Sequence, residues 1–104
     1  REAWLAEVRG RGLIGPGTAA EAADVAEVVR GLHQYLTLTP ARLRCVALTD
    51  AVGDRRTQNQ PGTIDEYPNW RVPLSGPDEK PMLLEDVLTS ARAAAVVEAV
   101  RGGR

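Results

Sequence analysis

The sequence is short of the residues that build most metal, redox and covalent sites. Cysteine, histidine and methionine occur once each among 104 residues. A lone Cys45 excludes an internal disulfide. Its place in an apolar run predicts a small buried hydrophobe in a reducing compartment. His33 has no cysteine, second histidine or carboxylate at ligand spacing, so no metal site is expected. No glycine-rich phosphate loop is present, and no cofactor is implied. Lys80 is the only lysine, and the preponderance of arginine reads as genome composition bias. A net charge of −1 offers no general attraction to a nucleic-acid polyanion. No apolar run approaches membrane-spanning length, so no membrane partner is expected, and no signal peptide, repeat or low-complexity tract is visible.

What is present fits one small globular unit at most. Hydrophobic residues make up 43% and charged residues 26%, which argues against global disorder. The chain opens on Arg1 rather than methionine, which reads as a piece of a longer protein. Trp4, Leu5 and Val8 share one side of a helix expected over residues 2–9, and Gly10, Gly12, Gly15, Pro16 and Gly17 break it. Thr18 and Glu21 form a capping box for a helix over 18–37. Val25, Val28, Val29, Leu32 and Leu36 recur there at the 3.6-residue period, and Pro40 forces its end.

Residues 43–48, Leu-Arg-Cys-Val-Ala-Leu, predict a short buried parallel strand. Residues 54–82 carry no periodicity and form a long loop. The last segment predicts a helix over 84–101, with Leu84, Val87 and Leu88 in one apolar patch and Ala93, Val96, Val97 and Val100 in a second. Thr89 or Ser90 is a plausible internal helix start. One strand cannot make a sheet, so its partners must come from a larger α/β parent. In such folds the loop after a strand's C-terminal end faces the active site.

That loop holds two ordered motifs, Asn59-Gln60-Pro61-Gly62-Thr63 and Glu66-Tyr67-Pro68-Asn69-Trp70-Arg71. Together they resemble a signature near the C-terminus of the 4-α-glucanotransferases of glycoside hydrolase family 77. The match covers residues 40–75 best. The resemblance implies that residues 1–104 are the single closing segment of a (β/α)8 barrel. The isolated chain would then be mainly helical, with one or two short strands. A barrel needs about 250 residues, so this chain could supply only part of one. The resemblance further implies a bacterial, cytoplasmic enzyme of maltodextrin, glycogen or starch metabolism. Such an enzyme transfers α-1,4-glucan segments between maltooligosaccharides by a retaining two-carboxylate mechanism. The family's catalytic carboxylates lie upstream of the signature, so no catalytic residue is assigned here. Thr49 stands where the family commonly has an acidic or polar residue.

Asn59, Pro61, Gly62 and Thr63 are the candidate substrate contacts. Two readings stand for Asn59: a sugar contact through its amide, or a turn residue bonding its own backbone. Pro61 and Gly62 are more simply a turn, which Thr63 caps. Asp50, Pro68, Asn69, Trp70 and Arg71 are assigned to holding the loop. Asp50 is expected to accept backbone amides of the turn that follows it. Trp70 is read as a buried anchor, with ring stacking on sugar as the alternative. Asp65 and Glu66 read as solvated carboxylates. Two other functions compete: a small helical protein-interaction module, and an anion-binding domain using Arg55, Arg56 and Arg71. A segment cut from a barrel would leave apolar faces bare, and self-association is expected.

Overall fold

The computed structural model describes residues 2–16 and 25–101. Five α-helices are found among them: α1 (Glu2–Gly10), α2 (Val25–Leu36), α3 (Leu48–Val52), α4 (Leu84–Thr89) and α5 (Ala91–Arg101). The expected helix over 2–9 forms nearly as read, and α2 ends before Pro40. The Thr18–Glu21 capping box lies outside the described residues.

Two small cores form on either side of α2. Leu5 and Val8 of α1 join Leu13 and Ile14 beyond it, with Val28 and Tyr35 of α2 packed against them. Ala51 and Val52 of α3 join Ala93 and Val96 of α5, with Val29 of α2 packed on that side. Val46, Leu74, Met82 and Val87 complete the second cluster. Burying such side chains contributes roughly 25 cal/mol per Å² of apolar surface. Among the described residues only nine hydrophobic ones are buried, so the gain is modest. The radius of gyration is 15.2 Å, where a compact domain of this length has about 13 Å. The chain is therefore looser than a self-sufficient domain.

The strand expected over residues 43–48 is not formed. Residues 43–47 carry no regular structure and Leu48 opens α3. Leu43 is 92% exposed, and Cys45 is exposed rather than buried. The physical cause is a missing ladder: a parallel strand needs a neighbouring strand to bond, and none is available among the described residues. The only β-pairing among the described residues is a single antiparallel bridge, Ser75 to Pro81.

Gly53 ends α3 with φ 81°, donating its N–H to the Thr49 carbonyl at 2.9 Å. A Cβ there would lie 2.6 Å from Arg92 Cζ. Gly53→Ala is therefore expected to destabilise the chain by about 1–2 kcal/mol, chiefly from the left-handed backbone, since the tip of the Arg92 side chain can swing aside. A urea melt that leaves the midpoint unchanged would contradict this.

The final helix is interrupted. Ser90 sits at φ −70°, ψ 118°, between α4 and α5. Its hydroxyl accepts the Ala93 amide at 3.2 Å and its carbonyl accepts the Ala94 amide at 3.0 Å. Ser90 is thus the helix start that its residue type allowed. Ahead of α4, the Asp86 carboxylate accepts the Leu83 amide at 2.9 Å. Val96 and Ala99 are buried on α5, while Leu84, Leu88 and Val97 stay exposed.

Candidate functional site

The long loop between α3 and α4 is built on one carboxylate. Asp54 follows Gly53 directly, and its side chain has no exposed surface. Oδ1 accepts the Arg56 amide at 3.0 Å, an i to i+2 turn closure. The Arg56 guanidinium donates to both oxygens at 3.1 Å and also to the Pro73 carbonyl. Oδ2 accepts the Ser75 amide at 3.0 Å, joining positions 21 residues apart. The hydrogen bond from Arg56, with the two backbone amides, holds the Asp54 carboxyl down at about 2 from its ordinary 3.8. Next to this clasp, Ser75 is 1% exposed, and the Met82 amide reaches the Leu74 carbonyl at 2.9 Å.

A second knot ties the two motifs together, and its centre is Asn69. Its Oδ1 accepts the Gln60 amide at 2.7 Å, while its Nδ2 donates to Thr63 Oγ1 at 3.0 Å. The Thr63 hydroxyl in turn donates to the Gln60 carbonyl at 2.7 Å. Pro61 and Gly62 fill the turn so closed, and Gly62 has φ 81°, as a type II turn requires at that place. The Tyr67 hydroxyl donates to the Thr57 carbonyl, and the Trp70 amide donates to the Gln58 carbonyl at 2.7 Å. Asn69 thus holds the loop through its side chain. Arg71 contributes its backbone amide, which donates to the Pro68 carbonyl at 3.0 Å.

Two of the sequence-based assignments change. Trp70 is not a buried anchor: it is 75% exposed and its φ is 60°. Left-handed backbone costs an L-residue roughly 1–2 kcal/mol, which the Asn69 knot on one side and the Gln58 bond on the other sustain. Trp70→Gly is accordingly expected to be about 1 kcal/mol more stable than Trp70→Ala, despite glycine's larger unfolded-state entropy. Equal melts for the two variants would show that the backbone carries no strain. Asp50 also differs from its assignment. It lies within α3 and faces His33 Nε2 at 3.7 Å, while the carboxylate that gathers loop amides is Asp54. The signal for Asp54 was in the sequence: an Asp just past a helix-ending glycine, two residues before an Arg.

Asn59 offers its carbonyl to the Thr57 hydroxyl at 2.7 Å. Its amide group makes no hydrogen bond within the described residues, so its donors and acceptor stay available. Glu66 accepts the Ile64 amide at 2.7 Å, and that bond lowers its carboxyl below the ordinary value. A carboxylate shifted in that direction is not a proton donor near neutrality. The His33 ring lies with Nδ1 at 2.8 Å from the Val29 carbonyl. Among the described residues no group of His, Cys, Asp and Glu is placed to hold a metal ion. No described helix is long and apolar enough to cross a membrane.

The site can therefore present polar groups and one aromatic face on a rigid loop, with no carboxylate pair poised for acid–base work. Residues 2–79 match the family described as 4-alpha-glucanotransferase. A 4-alpha-glucanotransferase of Mycobacterium bovis is 63% identical over 101 residues, covering 97% of this chain and 14% of that protein. A 4-alpha-glucanotransferase of Mycobacterium tuberculosis matches with the same identity and coverage. The chain spans about 14% of the length of the curated relatives it matches. No solved structure matches it.

Proposed function

This chain belongs to the 4-alpha-glucanotransferases of glycoside hydrolase family 77, and on that footing we propose that it supplies one wall of the glucan cleft of such an enzyme. The observation that carries the proposal is the doubly knotted loop: the family's two motifs are tied to each other by Asn69. Asn59, Pro61, Gly62 and Thr63 lie on this wall, and the exposed Trp70 ring stands two residues beyond Pro68. A glucan presents hydroxyls around flat apolar ring faces, which an amide and an indole complement.

The parent enzyme is a cytoplasmic (β/α)8 barrel that moves α-1,4-glucan segments between maltooligosaccharides. Its retaining chemistry uses a nucleophile and an acid–base carboxylate about 5–5.5 Å apart. In the loop Asp54 is consumed by Arg56 and Glu66 by a backbone amide, and the family's catalytic carboxylates lie upstream of its two motifs. The pair therefore comes from elsewhere in the parent. The test is to give maltotriose to the full-length parent carrying this segment. A ladder of longer glucans is expected, and none from this chain alone. Failure of the parent to make a ladder would remove the reading. Within the parent, Asn59→Ala and Trp70→Ala should each lower kcat/KM by roughly tenfold, the scale of one good contact of about 1.4 kcal/mol. Unchanged values in both would take the loop off the glucan path.

In isolation the segment self-associates. Leu43, Ile64, Leu83, Leu84 and Leu88 are large, apolar and exposed, which water penalises. Sedimentation equilibrium should show mass rising with concentration. A strict monomer across the millimolar range would contradict it.

A further inference from the structure

A cleft of about 390 Å³ opens where the C-terminal ends of α2 and α5 meet the segment after Pro40. Thr37, Thr39, Arg42, Arg44 and Arg101 line it, and no carboxylate does. Helix C-termini are partially negative, so cations beside them have an ordinary explanation. That explanation covers Arg44, which donates to the Val100 carbonyl at 3.1 Å. It also covers Arg101, in the last turn of α5, but not Arg42. At the end of α2 the Gln34 and Leu36 carbonyls already accept the Thr37 and Thr39 hydroxyls at 2.7 and 2.8 Å. Backbone amides of the same two threonines reach those carbonyls as well.

Arg42 and Arg101 have no side-chain hydrogen bond or ion pair within the described residues. Several other arginines are matched with acceptors, while the Arg55 and Arg71 side chains and the buried Arg92 Nε are not. Arg11 has Glu7, Arg30 has the Leu13 carbonyl, and Arg56 has Asp54. Three guanidinium groups around one cleft without a counter-charge repel one another. A multivalent oxyanion reverses the sign of that energy. Guanidinium forks match the oxygens of a phosphate group bidentately, and a phosphate monoester carries close to two negative charges at neutral pH. The volume also admits more than a bare phosphate, being within the range of small-molecule sites.

We propose that this cleft is a binding site for a phosphate group, free or carried as a monoester on a small sugar. It does not depend on the glucan-cleft reading, and it draws on none of the loop residues assigned there. The experiment is a two-dimensional NMR titration of the labelled chain, held at a concentration below its self-association. Inorganic phosphate and glucose 6-phosphate are the two ligands, with glucose and sodium chloride at matched ionic strength as controls. Saturable shifts are expected at Thr37, Thr39, Arg42, Arg44 and Arg101 with the phosphates and not with the controls. Arg42→Gln and Arg101→Gln, both at exposed side chains, should each weaken binding about tenfold while the rest of the spectrum is retained. Equal affinity for the two ligands assigns the site to free phosphate, and tighter binding of glucose 6-phosphate assigns it to the monoester. Shifts matched by sodium chloride, no saturation with either phosphate, or undiminished binding by both variants would overturn the proposal.

Discussion

Asp54→Ala should cost this chain about 2–3 kcal/mol, the scale for removing a charged acceptor from a part-buried hydrogen-bonded pair. The side chain has no exposed surface and accepts four hydrogen bonds, two from backbone amides and two from the Arg56 guanidinium. Its removal strands the Ser75 amide beside a nearly buried Ser75 and leaves the guanidinium with the Pro73 carbonyl as its hydrogen-bond acceptor. Asp54→Asn keeps one acceptor oxygen and should lose less, about 1–2 kcal/mol. The ordering wild type, Asn, Ala in urea midpoint is the check, and an Ala variant as stable as wild type would sink it. Acid gives an independent reading of the same group. The folded state holds the carboxyl at about 2 against an ordinary 3.8, so it favours the ionised form. The stabilisation is complete above pH about 4 and is lost as pH falls from there through about 2, amounting to about 2 kcal/mol. Asp54→Asn should be flat across that window in so far as this carboxyl is concerned.

Gly31→Ala is the second large effect, and it runs against helix propensity. Alanine is favoured over glycine inside a helix by up to about 1 kcal/mol. Gly31, though, is buried in α2, and a Cβ there would lie 2.6 Å from Ile14 Cγ2 and 3.2 Å from both the Leu13 carbonyl oxygen and Val8 Cγ1. Ile14 is itself 5% exposed, so its methyl has nowhere to go. Overpacking of this kind costs typically 1–3 kcal/mol, and the net should be a loss of 1–2 kcal/mol for alanine and more for valine. Trimming the opposing methyl should recover part of it. Thermal melts of Gly31→Ala, Ile14→Ala and the pair should show a coupling above about 0.5 kcal/mol. Additive losses would mean that the two residues do not collide.

Where local chemistry decides the structure, the sequence foretold it. α1 and α2 follow from apolar spacing, the end of α2 from Pro40, and the break before α5 from a serine able to cap. The turn at Pro61 and Gly62 follows from the two residues themselves. Where partners decide, it did not. Residues 43–48 have a strand's composition, but strandness is a property of a ladder, and Leu43 and Cys45 meet water instead. Trp70 looked like an anchor because indoles usually bury. Its backbone, held at φ 60°, turns the ring outward, and nothing in its residue type announces that. The Asn69 side chain accepts the Gln60 amide, and the carboxylate that gathers loop amides is Asp54, not Asp50.

The position of α2 has a consequence for how the molecule comes apart. Val28 and Tyr35 belong to one hydrophobic cluster and Val29 to the other, so a single helix is a wall common to both. Among the described residues each cluster has four buried members, too few to persist alone. Opening either side removes support from the shared helix and so from the side opposite. Amides of α2 should then exchange with deuterium only through global opening, and those of α1 and α5 should follow at nearly the same free energy. The two ends, far apart in sequence, form one cooperative unit, and neither would survive excision from the other.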